Sequence, residues 1–132
     1  MQQLDLENAL KEATRGFYAA LNQVLAGDPE PMLALWSHAD DVTYMSPLGE
    51  LLVGWAPIER SWRGQAEQIR GGPMVAEDLH VIAGAGLGMV VGFERGSVRI
   101  EGKEQWVDIR ATSVYRLENA RWMMVAHHTD RL

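Results

Sequence analysis

The sequence contains no cysteine. That one absence excludes disulfides, zinc–thiolate centres and cysteine nucleophiles together, and it fits a reducing compartment. Long apolar runs are missing too: none approaches the roughly 20 residues that span a bilayer. The opening stretch MQQLDLENALKEATRG is polar and helical in pattern, unlike a signal peptide. A cytoplasmic protein without membrane contact is expected. Positive charge is scarce, with 12 Lys and Arg against 18 Asp and Glu and a formal net charge of −6. The basic residues are scattered, so the cationic stripe that attracts phosphate backbones is lacking, and no nucleic-acid partner is expected. The four histidines show neither H-x-H nor H-x-x-x-H spacing, and no metal site is expected. The glycines of AGAGLG (83–88) are not followed by a helix, so they read as a hairpin turn instead of a phosphate cradle.

What is present is one domain's worth of chain, 132 residues, read as a single domain over 1–132. A chain of this size buries roughly two-thirds of its unfolded surface, so a core needs no staples. Five tryptophans stand at 36, 55, 62, 106 and 122. Each covers a large apolar area and carries one N–H donor, which suits a core and a small-molecule pocket alike.

Helical spacing of Leu6, Leu10, Ala13, Phe17, Ala20, Leu21 and Val24 predicts a first helix over about 4–26. Asp28 and Pro29 open a short second helix carrying Met32, Leu35 and Trp36 inward. DVTYMS (41–46) reads as a strand turned by Pro47–Gly49, and Pro57 opens a third helix with Ile58, Trp62 and Ile69 on one stripe. From there the chain reads as strands: VAEDLHVIAG, LGMVVGFERG, EQWVDIRATSVYRL and RWMMVAHHTD. In the third, Val107, Ile109, Ala111, Ser113, Tyr115 and Leu117 make the core face. Helices followed by strands predict an α+β fold: a mainly antiparallel, strongly bent sheet forming a cone, with three N-terminal helices on its concave face.

Two stretches, FYAALNQVLAGDPEPMLALWSHADDVTYMSPLGELLVGWAPIERSW and YRLENARWMMVAHHTD, resemble the nuclear transport factor 2-like superfamily. That group includes SnoaL-like polyketide cyclases, ketosteroid isomerases and the association domain of calmodulin-dependent kinases. The resemblance covers nearly the whole chain and implies the cone fold; it specifies function poorly, because the fold hosts many activities. Ketosteroid isomerases use an Asp base with a Tyr and a protonated Asp as oxyanion hole. The matching positions here are Ser46, Phe17 (with Tyr18 beside it) and Ser113. All three groups are missing, so steroid isomerisation by that route is rejected. Limonene epoxide hydrolases use an Asp–Arg–Asp set. Asp108 and Arg110 share one strand face here, but it is the outer one.

On this fold Tyr44 and Ser46 are expected inward. With Phe17, Tyr18, Trp36, Trp62, Ser113 and Thr129 they would line a mostly apolar ligand cavity. Asp40–Asp41 and His38 read as a solvated corner, and His80 as a surface strand residue. Glu94, Arg110 and Thr112 are placed on the convex face. Relatives commonly pair through that face, and a homodimer through Trp106, Arg110 and Trp122 is expected. Two classes of function stay open. One is an enzyme acting without a cofactor on an apolar or polycyclic small molecule, by isomerisation, cyclisation, dehydration or hydrolysis. The other is a ligand-binding or oligomerisation module without chemistry.

The adjacent pair His127–His128 carries the acid–base question, because neighbours on a strand face opposite ways. A three-residue loop, Glu118–Asn119–Ala120, would oppose Ala111 to His127 and turn His127 and Thr129 inward. A loop of two or four residues would turn His128 inward instead. Similarity to the kinase association domains, whose inward positions match Ser113 and Thr129, favours His127 as the pocket histidine and candidate general acid or base.

Overall fold

The protein is described from a computed structural model over residues 3–47 and 49–132. Helix α1 (Gln3–Val24) buries Leu6, Leu10, Thr14, Phe17, Ala20 and Val24, the stripe that 3.6-residue periodicity selects. The short α2 (Glu30–Leu35) starts where Asp28 Oδ1 accepts the Glu30 N–H at 3.1 Å. Strands β1 (Thr43–Met45) and β2 (Leu51–Val53) form a small hairpin. The expected turn at Pro47–Gly49 includes Leu48, which lies outside the described residues. Helix α3 (Trp55–Gln68) starts two residues before Pro57 and buries Ile58, Trp62 and Ala66.

The rest is sheet: β3 (Ile69–Gly71), β4 (Val75–Ala83), β5 (Leu87–Ile100), β6 (Lys103–Glu118) and β7 (Arg121–Arg131). The sheet runs β2-β1-β7-β6-β5-β3, with β4 also on β5. Every pairing is antiparallel except β1 with β7. One edge of β5 is shared, β4 taking its first part and β3 its end. The sheet curls into a half-barrel closed by the helices, the α+β cone that the sequence leads one to expect. The AGAGLG stretch is the β4–β5 hairpin. No helix among the described residues is long and apolar enough to cross a membrane.

Curvature depends on close approach. Gly88 faces α1, and a Cβ there would collide with the Leu10 side chain. At Gly92 a Cβ would lie 2.6 Å from Leu79 and 2.9 Å from the Glu77 carbonyl, beside the bulge of β4. The core between helices and concave face gathers Leu10, Phe17, Met32, Trp36, Tyr44, Ile58, Trp62, Tyr115 and Met124. A smaller cluster joins Leu25, Met74 and Val98 at the far end.

The β6–β7 hairpin corrects the expected loop. It has two turn residues, not three: Glu118 pairs with Arg121 and Leu117 with Trp122. Asn119 (φ 50°) and Ala120 (φ 62°) are both left-handed, as a two-residue hairpin turn requires. Without compensation that register would turn His128 inward. It does not, because β7 bulges at Val125, between the Tyr115–Met124 and Val114–Ala126 pairs. Beyond the bulge Ser113 opposes His127 and Ala111 opposes Thr129. His127 therefore faces the concave side, but by a bulged ladder and not the register first expected. Before the bulge Trp122 shares the inner face with Met124 and packs on the core, which removes it from the convex surface.

The left-handed Ala120 is strained, since a Cβ in that region costs about 1–2 kcal/mol. Ala120→Gly is expected to stabilise the protein by about 1 kcal/mol in urea unfolding. No gain would mean that the turn is not left-handed at this residue.

Candidate functional site

The concave face and α3 enclose a cavity of about 630 Å³, within the range of small-ligand pockets. Helical spacing brings Arg60 and Ser61, Gly64 and Gln65, and Gln68 to its wall, with Trp62 behind them. Strand alternation brings His127, Thr129 and Arg131 from β7. Tyr44 and Ser46 enter from β1 and the residue after it. Met74, Val98 and Ile109 supply apolar surface.

At the floor lies a hydrogen-bonded chain of four side chains. His127 is 2% exposed and Glu94 4% exposed. His127 Nδ1 is 2.8 Å from Ser113 Oγ, and His127 Nε2 is 3.1 Å from Glu94 Oε2. The Tyr18 hydroxyl donates to the same Oε2 at 2.8 Å. Phe17 lies against the imidazole, ring centroids 4.6 Å apart. Burial pushes the Glu94 carboxyl up. The electrostatic pull of the adjoining His127, with the hydrogen bonds from His127 and Tyr18, outweighs this and holds it below the ordinary carboxylate range. The Tyr18 hydroxyl is pushed well up by burial and by the Glu94 charge, so it stays a donor.

Both imidazole nitrogens are thus engaged within the protein, which leaves His127 no free nitrogen for a ligand. Glu94 differs. Its Oε2 receives both bonds, while Oε1 has no partner among the described residues. Oε1 is not among the wholly buried polar atoms without a partner, which are Trp36 Nε1 and Trp62 Nε1. Because Glu94 lines the cavity, Oε1 is the oxygen that opens onto it.

Tyr44 supplies a donor nearby. Its hydroxyl accepts a bond from Gln65 Nε2 at 3.0 Å, which leaves its own proton for a cavity ligand. Burial pushes this hydroxyl up as well, so it remains protonated. Tyr44 stacks on Trp62 at 4.9 Å, and this pair forms an aromatic wall.

Of the residues expected at the site, Tyr44, Ser46, Trp62, His127 and Thr129 line the cavity. Phe17, Tyr18, Trp36 and Ser113 do not. Phe17 and Ser113 lie behind His127, and Tyr18 behind Glu94. Trp36 is wholly buried between Tyr44, Trp55 and Trp62. Thr129 uses its hydroxyl on the Met45 carbonyl at 2.8 Å. His128 faces outward, its Nε2 2.9 Å from Thr43 Oγ1.

Glu94 was expected on the convex face, and that is corrected: it pairs with inward Ile109. Arg110 and Thr112 do face outward, Arg110 bound to Asp130. Asp108 borders the cavity but is held by Arg95, while Arg110 points outward to Asp130, so the two do not form a set there. Asp41 forms an ion pair with Arg116, and His38 and His80 are exposed. Among the described residues no group of three or more His, Cys, Asp or Glu could hold a metal ion.

The SnoaL-like domain family profile matches residues 10–129, and the chain belongs to that family. Solved structures of the nuclear transport factor 2-like superfamily share the fold. One is a candidate dehydratase of the NTF2-like family from Streptomyces avermitilis, with TM-score 0.79 and 22% identity over 96% of this chain and 95% of that one. Another is a candidate calcium/calmodulin-dependent protein kinase type II association domain from Thiobacillus denitrificans. It has TM-score 0.71 and 30% identity over 92% and 94% of the two chains. A third, a candidate aromatic ring hydroxylase from Novosphingobium aromaticivorans, has TM-score 0.83 and 14% identity over 100% and 92%. A search of curated proteins finds no significant match.

Proposed function

We propose that this protein is an enzyme for a small, largely apolar cyclic molecule, working by general acid–base chemistry without a cofactor. The observation that carries the reading is the Glu94 Oε1 facing the cavity, backed by His127 and Tyr18. In this scheme Glu94 Oε1 removes a proton from a carbon next to a ligand carbonyl. The C–H bonding pair forms the enolate C=C bond, the carbonyl π pair moves to oxygen, and the Tyr44 hydroxyl donates to the charge that develops there. Glu94 then returns the proton to another carbon of the conjugated enolate, which is isomerisation. Alternatively it passes the proton to a β-hydroxyl that leaves as water while the enolate collapses to the conjugated carbonyl, which is dehydration. His127 is a positioning residue here: it fixes the carboxylate while Ser113 fixes the ring. This replaces the expectation that the imidazole itself meets the ligand.

The test needs no knowledge of the natural substrate. The protein is incubated in D2O with 2-tetralone, a planar cyclic ketone, and hydrogen–deuterium exchange beside the carbonyl is followed by NMR. Exchange is expected to exceed the buffer rate by about 10²–10⁴-fold and to fall to near background in Glu94→Gln. Binding of the ketone without enhanced exchange would favour the module without chemistry.

We infer further that residues 1–132 act as one domain, supported by a family match over 10–129 and one continuous sheet. The lack of cysteine supports a cytoplasmic setting. A homodimer through the convex face is kept, now resting on Arg110 and on Trp106, which also borders the cavity. Trp106 is 70% exposed, an area that association would cover. Light scattering at micromolar concentration is expected to give twice the chain mass, and Trp106→Glu the monomer mass. A monomeric wild type would end the idea.

A further inference from the structure

Two arginines at the cavity are left over by the acid–base reading. Arg15, Arg63, Arg95, Arg110 and Arg116 each have a carboxylate partner. Arg60 and Arg131 line the cavity, and among the described residues neither has an ion pair or a side-chain hydrogen bond. Resting on the cavity reading above, we propose that the ligand is a cyclic organic acid whose carboxylate is held at the mouth by Arg60 and Arg131.

Geometry supports it from both walls. Arg131 opposes Ile109, so it extends the inward row His127–Thr129–Arg131. Strand residues advance about 3.3 Å each, which sets the Arg131 backbone about 13 Å from that of His127. Arg60 stands on α3 one turn from Gly64, on the face that carries Gln65 and Gln68 to the same wall. A body of two or three fused rings with a carboxylate at one end is comparable in length to the His127–Arg131 spacing, and Trp62 lines the same cavity.

Electrostatics point the same way. The other ionised side chains lining the cavity are already answered: Glu94 by His127 and Tyr18, and Asp108 by Arg95. The side-chain charge left without a partner at the cavity is positive, on a chain whose formal net charge is −6. Guanidinium forks match a carboxylate in two parallel hydrogen bonds. With the carboxylate at the mouth, a carbonyl at the far end of the rings is delivered to Glu94 and Tyr44.

The test is a fluorescence titration with anthracene-2-carboxylate and with its neutral carboxamide. The carboxylate is expected to bind about tenfold tighter or better. The double variant Arg60→Gln/Arg131→Gln is expected to bring the carboxylate down to the carboxamide's affinity and leave the carboxamide unchanged. Both side chains are exposed, so the fold should tolerate the change. Equal binding of the two probes, or unchanged carboxylate binding in the double variant, overturns the anion site while the cavity reading stands. Failure of both probes to bind overturns the cavity reading, and the anion site with it.

Discussion

Replacing Glu94 by alanine is expected to destabilise the fold by about 3–5 kcal/mol, because one partner of a buried charged pair is removed and the others are left unpaired. His127 Nε2 and the Tyr18 hydroxyl would each lose an acceptor at a site almost closed to water. Glu94→Gln keeps the shape and an acceptor oxygen, so its loss should be smaller. The two variants can be ranked by urea unfolding near neutral pH. A loss below about 1 kcal/mol for the alanine variant would mean that the carboxylate is not held as described.

The same group predicts an acid limb. The folded Glu94 carboxyl lies below its ordinary range, so the folded state favours the ionised form. Its contribution is fully present above the unfolded value of about 4.3, and it is lost as the pH falls through the lower folded value. The gap between wild type and Glu94→Gln should therefore narrow below about pH 4. A gap of equal size at pH 3 and pH 6 would contradict the ionised, hydrogen-bonded state.

That Glu94 escapes a reading of the sequence has a physical reason. The inward face of β5 is Gly88, Val90, Gly92, Glu94, Gly96 and Val98. The outward face carries Met89, Val91 and Phe93 and is the more apolar of the two. Period-two hydrophobicity therefore selects the wrong side, because glycines that admit Leu10, Leu79 and Met74 add no apolar weight of their own. The four-residue glycine spacing was the signal available: it marks a face against which other elements press. On β6 nothing competes with the pattern, and Ile109, Ala111, Ser113 and Tyr115 are buried as alternation demands. His127 lies between these cases. Its orientation was legible through resemblance, but the bulge at Val125 that produces it has no local signature in MMVAHH. The stripes of α1 and α3 were legible because tertiary packing reinforces their spacing. Cavity residues such as Gln65, Arg60 and Arg131 were not, since a polar side chain on a wall looks in sequence like one in water.

Trp62→Ala is expected to cost about 3–5 kcal/mol, the range for deleting a large aromatic side chain from a core. Trp62 is 1% exposed and stands where three aromatic contacts meet: Tyr44 at 4.9 Å, Phe17 at 6.4 Å and Trp36 at 6.5 Å. Such pairs contribute beyond the area they bury, about 0.5–1.5 kcal/mol each. The ring cannot be replaced by relaxation alone, since Trp36 and Ile58 beside it are themselves wholly buried. Trp62→Phe separates folding from binding. It keeps an aromatic against Tyr44 and enlarges the cavity, so the fold should survive with a smaller loss while affinity for anthracene-2-carboxylate falls. If Trp62→Phe binds this probe as tightly as wild type does, the ring is a core residue alone, and the ligand must lie against the β7 wall instead.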